Sequence, residues 1–405
     1  MKHEKSIGKN PQIQVQNRSA TSVSLKILFF HNTLPEYRIG WFQNLSQMSN
    51  IEYVFTNEKQ NMKDYGFEID YKKMGDLKCR FLSDGKHGFK ELQEIVEKIE
   101  KYDFVELPPI DSFRETIYSA YIVNKCKKRN VPVGYFWEKW DAPKEKQPLG
   151  RKIKNWILRV IPGSIYKHSD VIFSVGKKNR EYFISNGVNC EKIKWIPDVS
   201  ETSSCQYVDI REKYNIPKNS KVIMYLGRML PQKGVGNLIK AFSTLNPEVK
   251  DTSFLLIAGD GEDLNNCQKL AKKLNLKNVI FSGRINPSDR ENYFAQCDIF
   301  VYPVIYFKGR VDVWGLTLNE AMQHGKILIA TDAVGSAYEL IKNGINGFRV
   351  EAGNIKELKD ALASAVLTSM ETKAQREDDE LRKIYNYQNM AKEYLQGVAS
   401  VVNNK

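Results

Sequence analysis

The sequence predicts an α/β protein of two doubly wound domains, each built on a parallel sheet, facing one another across a cleft. Three observations predict it. The 405 residues are too many for one ordinary core and suit two domains. Short apolar runs of strand length alternate with helical patterns from residue 25 to about residue 369, the rhythm of sheets buried on both faces. The polar stretch DVSETSSCQ, residues 198–206, breaks that rhythm once, and the alternation then restarts, as an interdomain linker would make it do.

The elements follow in order. LKILFF (25–30) is the first strand, and a helical stretch at 39–45 follows it. IEYVFT (51–56), DFVEL (103–107), VPVGYFW (131–137), DVIFSV (170–175) and KIKWIP (192–197) read as further strands, with helical segments such as FKELQEIVEKIEKY (89–102) between them. After the linker, KVIMYLG (221–227) restarts the pattern. GVGNLIKAFSTL (234–245) then puts Val235, Leu238, Ile239, Phe242 and Leu245 on one helical face. SFLLIAG, NVIFSG, DIFVYP and ILIAT are the next strands. The expected organisation is a disordered tail at 1–23, a first domain at 24–199 and a second at 200–384. Ligands of such sheets bind beyond the carboxyl ends of the strands, so the site is expected in the cleft.

Composition narrows the function classes. A hydrophobic fraction of 42% and a charged fraction of 27% are those of a soluble globular protein. No apolar run approaches the ~20 residues that span a bilayer, and the first 23 residues lack a signal-peptide pattern. Six scattered cysteines without CxxC spacing fit a reduced cytoplasm rather than a disulfide framework or a zinc site. The net charge is +13, and residues 139–195 hold 13 Lys and Arg against 5 Asp and Glu. That excess suits an anionic lipid surface or a phosphorylated substrate, or merely solubilises the chain. Nucleic acid is not an expected partner, because no recognition motif accompanies the charge.

Two motifs carry chemistry. In GRMLPQKG (227–234), Arg228 leaves the sheet at a strand end and Lys233 starts the next helix, so two cations stand where a diphosphate could be neutralised. In DVWGLTLNEAMQHG (312–325), Gly315, Leu316 and Thr317 open a helix whose unpaired N–H groups can receive a phosphate. Glu320 lies one turn on. Repulsion from phosphate would point its carboxylate at neutral hydroxyls such as those of a ribose. The alternatives are surface cations in a loop and an exposed helical Glu.

Together with LLIAGDGED (255–263), FSGRI (281–285) and CDIFVYP (297–303), these motifs resemble the retaining GT-B glycosyltransferases of glycosyltransferase family four, which have two Rossmann-like domains. The resemblance covers 222–350 most strongly, and DVIFSVGKKNREYFISNGV with KIKWIPD extends it before the linker. It implies that Arg228 and Lys233 bind the donor diphosphate, that the N–H groups of Gly315, Leu316 and Thr317 meet its β-phosphate, and that main chain at Arg284 and Ile285 meets the base. It also implies that Glu320 is the second glutamate of an E-x7-E motif and binds the ribose. The first falls on Asp312, a departure that keeps the charge and shortens the reach by one methylene. Residues 385–402, and the chain end to 405, are expected by resemblance to form a helix returning to the first domain.

The first domain departs further. HNTLPEYRIGW (31–41) lacks the family's paired glycines, and leaves Gly40 and Arg38 as candidates to approach the donor phosphates. Glu138 aligns with a family histidine and could orient the donor sugar or take the acceptor's proton, or pair with a neighbouring Lys; Asp141 is its rival. Trp137 and Trp140 flank it and could stack on sugar, touch lipid or pack in a core. RKIKNWILRVI (151–161) interleaves Arg151, Lys152, Lys154 and Arg159 with apolar residues including Trp156, as a basic interfacial helix or an internal one would.

No DxD sequence stands at a strand end, and the His spacing suits no transition metal. The expectation is therefore a metal-independent hexosyltransferase-type enzyme needing no cofactor beyond a nucleoside-diphosphate sugar, UDP by family frequency. Its acceptor is a saccharide or lipid-linked oligosaccharide of cell-surface polysaccharide synthesis. Its expected place is the cytoplasm, peripheral to the inner face of the membrane. Rival readings are a nucleotide-sugar epimerase or hydrolase, a sugar phosphorylase or synthase, and a non-catalytic sugar- or lipid-binding relative.

Overall fold

The computed structural model describes residues 25–57, 71–110, 112–201, 207–367 and 371–403. The expected tail and residues 202–206 of the polar stretch lie outside them. The first sheet contains β1 (Lys26–His31), β2 (Asn50–Phe55), β3 (Cys79–Phe81), β4 (Phe104–Leu107), β5 (Val133–Phe136), β6 (Val171–Ser174) and β7 (Ile193–Trp195), in the order β3-β2-β1-β4-β5-β6-β7. The second contains β8 (Lys221–Leu226), β9 (Ser253–Ala258), β10 (Val279–Gly283), β11 (Ile299–Tyr302), β12 (Ile327–Thr331) and β13 (Gly347–Val350), in the order β10-β9-β8-β11-β12-β13. Neighbouring strands pair in parallel throughout. Every residue of β4, β5, β6, β11 and β12 is buried, which is why these strands are mostly apolar rather than alternating.

Strand order fixes where ligands can go. In each sheet the chain builds outward in one direction and then returns to the middle, so the order reverses between β1 and β4 and again between β8 and β11. Loops leave these neighbours in opposite directions and open a crevice at their carboxyl ends. The loops after β8 and β11 hold Arg228, Lys233, Asp312 and Gly315.

The helix Tyr387–Val402 leaves the second domain and lies against the first sheet. Asn386 caps it, accepting from the Asn389 N–H at 2.8 Å. Gly397 rests on the Phe173 ring of β6, where a Cβ would come within 2.5 Å. Tyr394 packs on the same ring at 4.4 Å and donates to the buried Glu106 of β4 at 2.9 Å. Among the described residues no helix is long and apolar enough to cross a membrane.

Candidate active site

Lys233 ends a short 3-10 turn, Pro231–Lys233, just past β8. Its ammonium lies 2.5 Å from an Asp312 carboxylate oxygen and 2.6 Å from the Tyr302 hydroxyl, which donates to the same oxygen at 2.6 Å. Burial opposes a charged Asp312, but Lys233, Tyr302 and Arg228 outweigh it and hold its carboxyl below the ordinary aspartate value. Backbone bonds fix Asp312: its N–H donates to Ala333 at 2.9 Å and its carbonyl accepts from Gly335 at 3.0 Å. Arg228 is exposed at the mouth of the same crevice.

Gly315 opens the helix Leu316–Gln323 at φ +89°. A Cβ there would stand 2.9 Å from Val334 Cγ1 and 3.0 Å from Tyr302 Cε1, so only glycine lets the helix start this close to the Lys233–Asp312 pair. The first-turn N–H groups of Leu316 and Thr317 have no partner within the helix, and their partial positive charge adds to the two cations. These groups therefore converge at the β8–β11 crevice.

Glu320 lies further along the helix and is almost wholly buried. Ser200 donates to one of its oxygens at 2.7 Å, Arg290 pairs with the other, and the Ser200 N–H donates to Asn319 at 3.1 Å. Burial raises its carboxyl above the usual value despite both partners. The start of the expected linker, 198–200, is thus a buried strap bonded to the site helix.

The facing edge of the first domain carries a buried charge cluster. Arg38, in the helix Glu36–Met48, pairs with Asp198 and Glu138. Its guanidinium lies 5.2 Å from the Phe136 ring centre and 5.6 Å from that of Trp41. Burial opposes the Arg38 charge, but Asp198 and Glu138 outweigh it and raise its pKa. Burial and then Asp198 push the Glu138 carboxyl up to about 8, with Arg38 acting in the opposite sense.

Several expectations need correction. Arg38 is not presented to a phosphate, because both its carboxylate partners already hold it. Gly40 lies inside the helix Glu36–Met48, and its missing side chain makes room for the Tyr387 ring, which a Cβ would approach within 2.4 Å. Trp137 and Trp140 are buried and meet neither lipid nor solvent. Trp137 packs edge-on to Tyr182, and the Trp140 indole donates to the Val313 carbonyl of the other domain at 3.1 Å. Arg151 packs its stem against Gly309 of the second domain.

Other candidates lie where their elements put them. Arg284 is exposed and Ile285 half-buried just past β10. Asp141 is half-buried in the segment after β5. The helix Leu149–Tyr166 exposes Trp156, Ile153, Ile157 and Val160 beside exposed Lys152 and Lys154; its backbone includes Arg159. Sequence reasoning assigned no role to Tyr302, Asp198, Ser200 or Arg290, although Tyr302 stands in CDIFVYP and Asp198 closes KIKWIPD. Among the described residues no cluster of His, Cys, Asp and Glu could hold a metal ion.

Residues 207–382 match the model of the family described as glycosyl transferases group 1. An uncharacterized glycosyltransferase of Methanocaldococcus jannaschii is 28% identical over 258 residues, 62% of this chain and 61% of that protein. The GDP-mannose-dependent alpha-(1-6)-phosphatidylinositol monomannoside mannosyltransferase of Mycobacterium tuberculosis is 25% identical over 207 residues, 49% of this chain and 53% of the relative. The chain thus spans between half and two thirds of the length of these curated relatives. Among solved structures, Anabaena HepE in complex with UDP superposes with a TM-score of 0.70 at 16% identity, over 93% of this chain and 100% of that one. The chain therefore has the GT-B fold of two Rossmann-like domains, and its second domain carries the match to the group 1 glycosyl transferases.

Proposed function

We propose that this protein is a retaining, metal-independent hexosyltransferase that moves a sugar from a nucleoside-diphosphate sugar, UDP-linked, to a saccharide or lipid-linked acceptor of cell-surface polysaccharide synthesis. One observation carries the reading: Lys233, Asp312, Arg228 and the amino end of the helix Leu316–Gln323 converge at the switch point between β8 and β11. Cations and N–H groups fixed there oppose the charge that grows on a departing diphosphate, and preorganised charge of this kind is the largest catalytic contribution in most enzymes. The acceptor oxygen bonds to the anomeric carbon as the bond to the diphosphate breaks. The acceptor's proton passes to Glu138, and attack from the face the leaving group occupied retains the configuration. Glu320 binds the ribose by exchanging its Ser200 or Arg290 partner for a hydroxyl, and the main chain at Arg284 and Ile285 meets the base. The UDP held by HepE supports a UDP donor, whereas the mycobacterial relative is GDP-mannose-dependent. That relative's phosphatidylinositol monomannoside substrate supports a lipid-linked acceptor.

The same reading puts the protein in the cytoplasm, at the inner membrane face. The exposed stripe Ile153, Trp156, Ile157 and Val160, flanked by Lys152 and Lys154, supports it, as does a recess of about 600 Å³ lined by Trp156, Val160, Lys167 and His168. The deciding experiment measures binding and slow hydrolysis of UDP-, GDP- and ADP-sugars by wild type and Lys233→Ala. Wild type is expected to bind one nucleotide class, and Lys233→Ala to turn it over about two orders of magnitude more slowly. Failure of every nucleotide to bind would refute a transferase. Release of an isomer without acceptor would favour an epimerase.

A further inference from the structure

We infer that Tyr302 is a positioning residue of the donor site, holding the Lys233 ammonium and the Asp312 carboxylate in place through one shared hydroxyl. This rests on the nucleotide-sugar reading and adds to it a residue to which no role was assigned from sequence. A buried tyrosine hydroxyl needs partners, and this one has two of opposite charge, each at 2.6 Å. The ring is gripped from several sides. Lys233 lies over its face at 4.9 Å, the Tyr225 ring runs nearly parallel at 6.4 Å and 17°, and Gly315 leaves only the width of a missing Cβ at its edge. Tyr225 uses its own hydroxyl on the Arg228 carbonyl at 2.8 Å. The two rings thus tie both cation-bearing positions to the ends of β8 and β11.

The hydroxyl changes what Lys233 can do. With it in place, Asp312 receives a second donor and Lys233 a second acceptor, so neither depends wholly on the other. Without it the Asp312 oxygen loses one of its donors and leans wholly on Lys233, already 2.5 Å away, so the ammonium is less free to turn toward the diphosphate. Tyr302 also helps keep Asp312 ionised, since a donated hydrogen bond favours the charged form.

The test is Tyr302→Phe, which keeps the ring and removes the hydroxyl, read by donor hydrolysis across pH. Wild type is expected to hydrolyse at least one of the UDP-, GDP- and ADP-sugars. The variant should lose about tenfold to a hundredfold in kcat, the range for one hydrogen bond to a charged group, with donor KM nearly unchanged. Its acid limb should move to higher pH, because Asp312 loses a donor. In a Lys233→Ala background the same substitution should cost far less, since the hydroxyl acts through Lys233. Tyr302→Met carries the same expectations should the phenylalanine variant fold poorly. Wild-type kcat and an unmoved acid limb would overturn the role of Tyr302 and leave the donor reading standing. A wild type that neither binds nor hydrolyses any of these donors would overturn both.

Discussion

Replacing Arg38 with Met tests whether the buried cluster is a true ion pair. Arg38 is 1% exposed and Asp198 is fully buried, so Arg38→Met leaves a carboxylate without water or cation. Breaking such a pair costs about 3–5 kcal/mol. The carboxylate can escape by taking a proton. Taking that proton costs less at pH 5 than at pH 7. Glu138, pushed up to about 8, already favours its neutral form at pH 7 and adds little to this cost. Removing both charges is different, because an apolar or neutral pair of similar volume is often as stable as the ion pair it replaces. Urea denaturation followed by tryptophan fluorescence, at pH 5 and pH 7, separates these terms. Arg38→Met should lose about 3–4 kcal/mol at pH 7 and less at pH 5. Arg38→Met with Asp198→Asn should recover most of the loss. A loss below about 1 kcal/mol at pH 7, a loss independent of pH, or a double variant no better than the single one would refute the reasoning.

Two further outcomes follow from the site geometry. If Glu138 takes the acceptor's proton it must first lose its own, so kcat/KM for transfer should climb about tenfold per pH unit below its value of about 8 and level off above it, while Glu138→Gln is slow and flat across that range. The same raised value makes stability fall as pH rises from the solution value toward 8, and Glu138→Gln should flatten that slope in denaturation experiments. Gly315→Ala should lower the melting temperature and weaken nucleotide binding together, since a left-handed alanine costs about 1–2 kcal/mol and its overlap with Val334 and Tyr302 about 1–3 kcal/mol more; wild-type stability and binding would contradict this geometry.

The strands that build the crevice were legible because full burial writes them as apolar runs: β12 is found where ILIAT stands, and β8 and β9 within one residue of expectation. The missed strands are the short outer ones. β3 has three residues, all partly exposed, and β13 has its middle pair half-buried, so neither forms such a run. In the site, the positions of Lys233 and Gly315 were legible from spacing, because a strand end and a helix start are local events, and that of Asp312 only through the family resemblance. Arg38 was not, because its partners stand 100 and 160 residues away and a single cation after a first strand reads as exposed. Trp137 and Trp140 stayed open between sugar, lipid and core for the same reason: a tryptophan among charges looks alike in sequence whether it meets a membrane or another domain.

The contacts that join the domains are the contacts that shape the site. Trp140 donates to Val313, the residue after Asp312. Glu339, in the turn of helix Ala337–Leu340 that follows the Gly335 bonded to Asp312, accepts from the Lys177 N–H at 2.6 Å and so caps the helix Lys177–Ser185 of the other domain. Ser200 reaches both Asn319 and Glu320 on the helix that Gly315 opens. Three of these four bonds end on the segment 312–320 that holds Asp312, Gly315 and Glu320, the fourth ends on the turn beside it, and all leave from the carboxyl-end side of the first sheet. A change in the angle between the domains therefore pulls on the segment that holds Asp312 and Glu320. That coupling gives the cleft a physical means of aligning its chemistry with its closure.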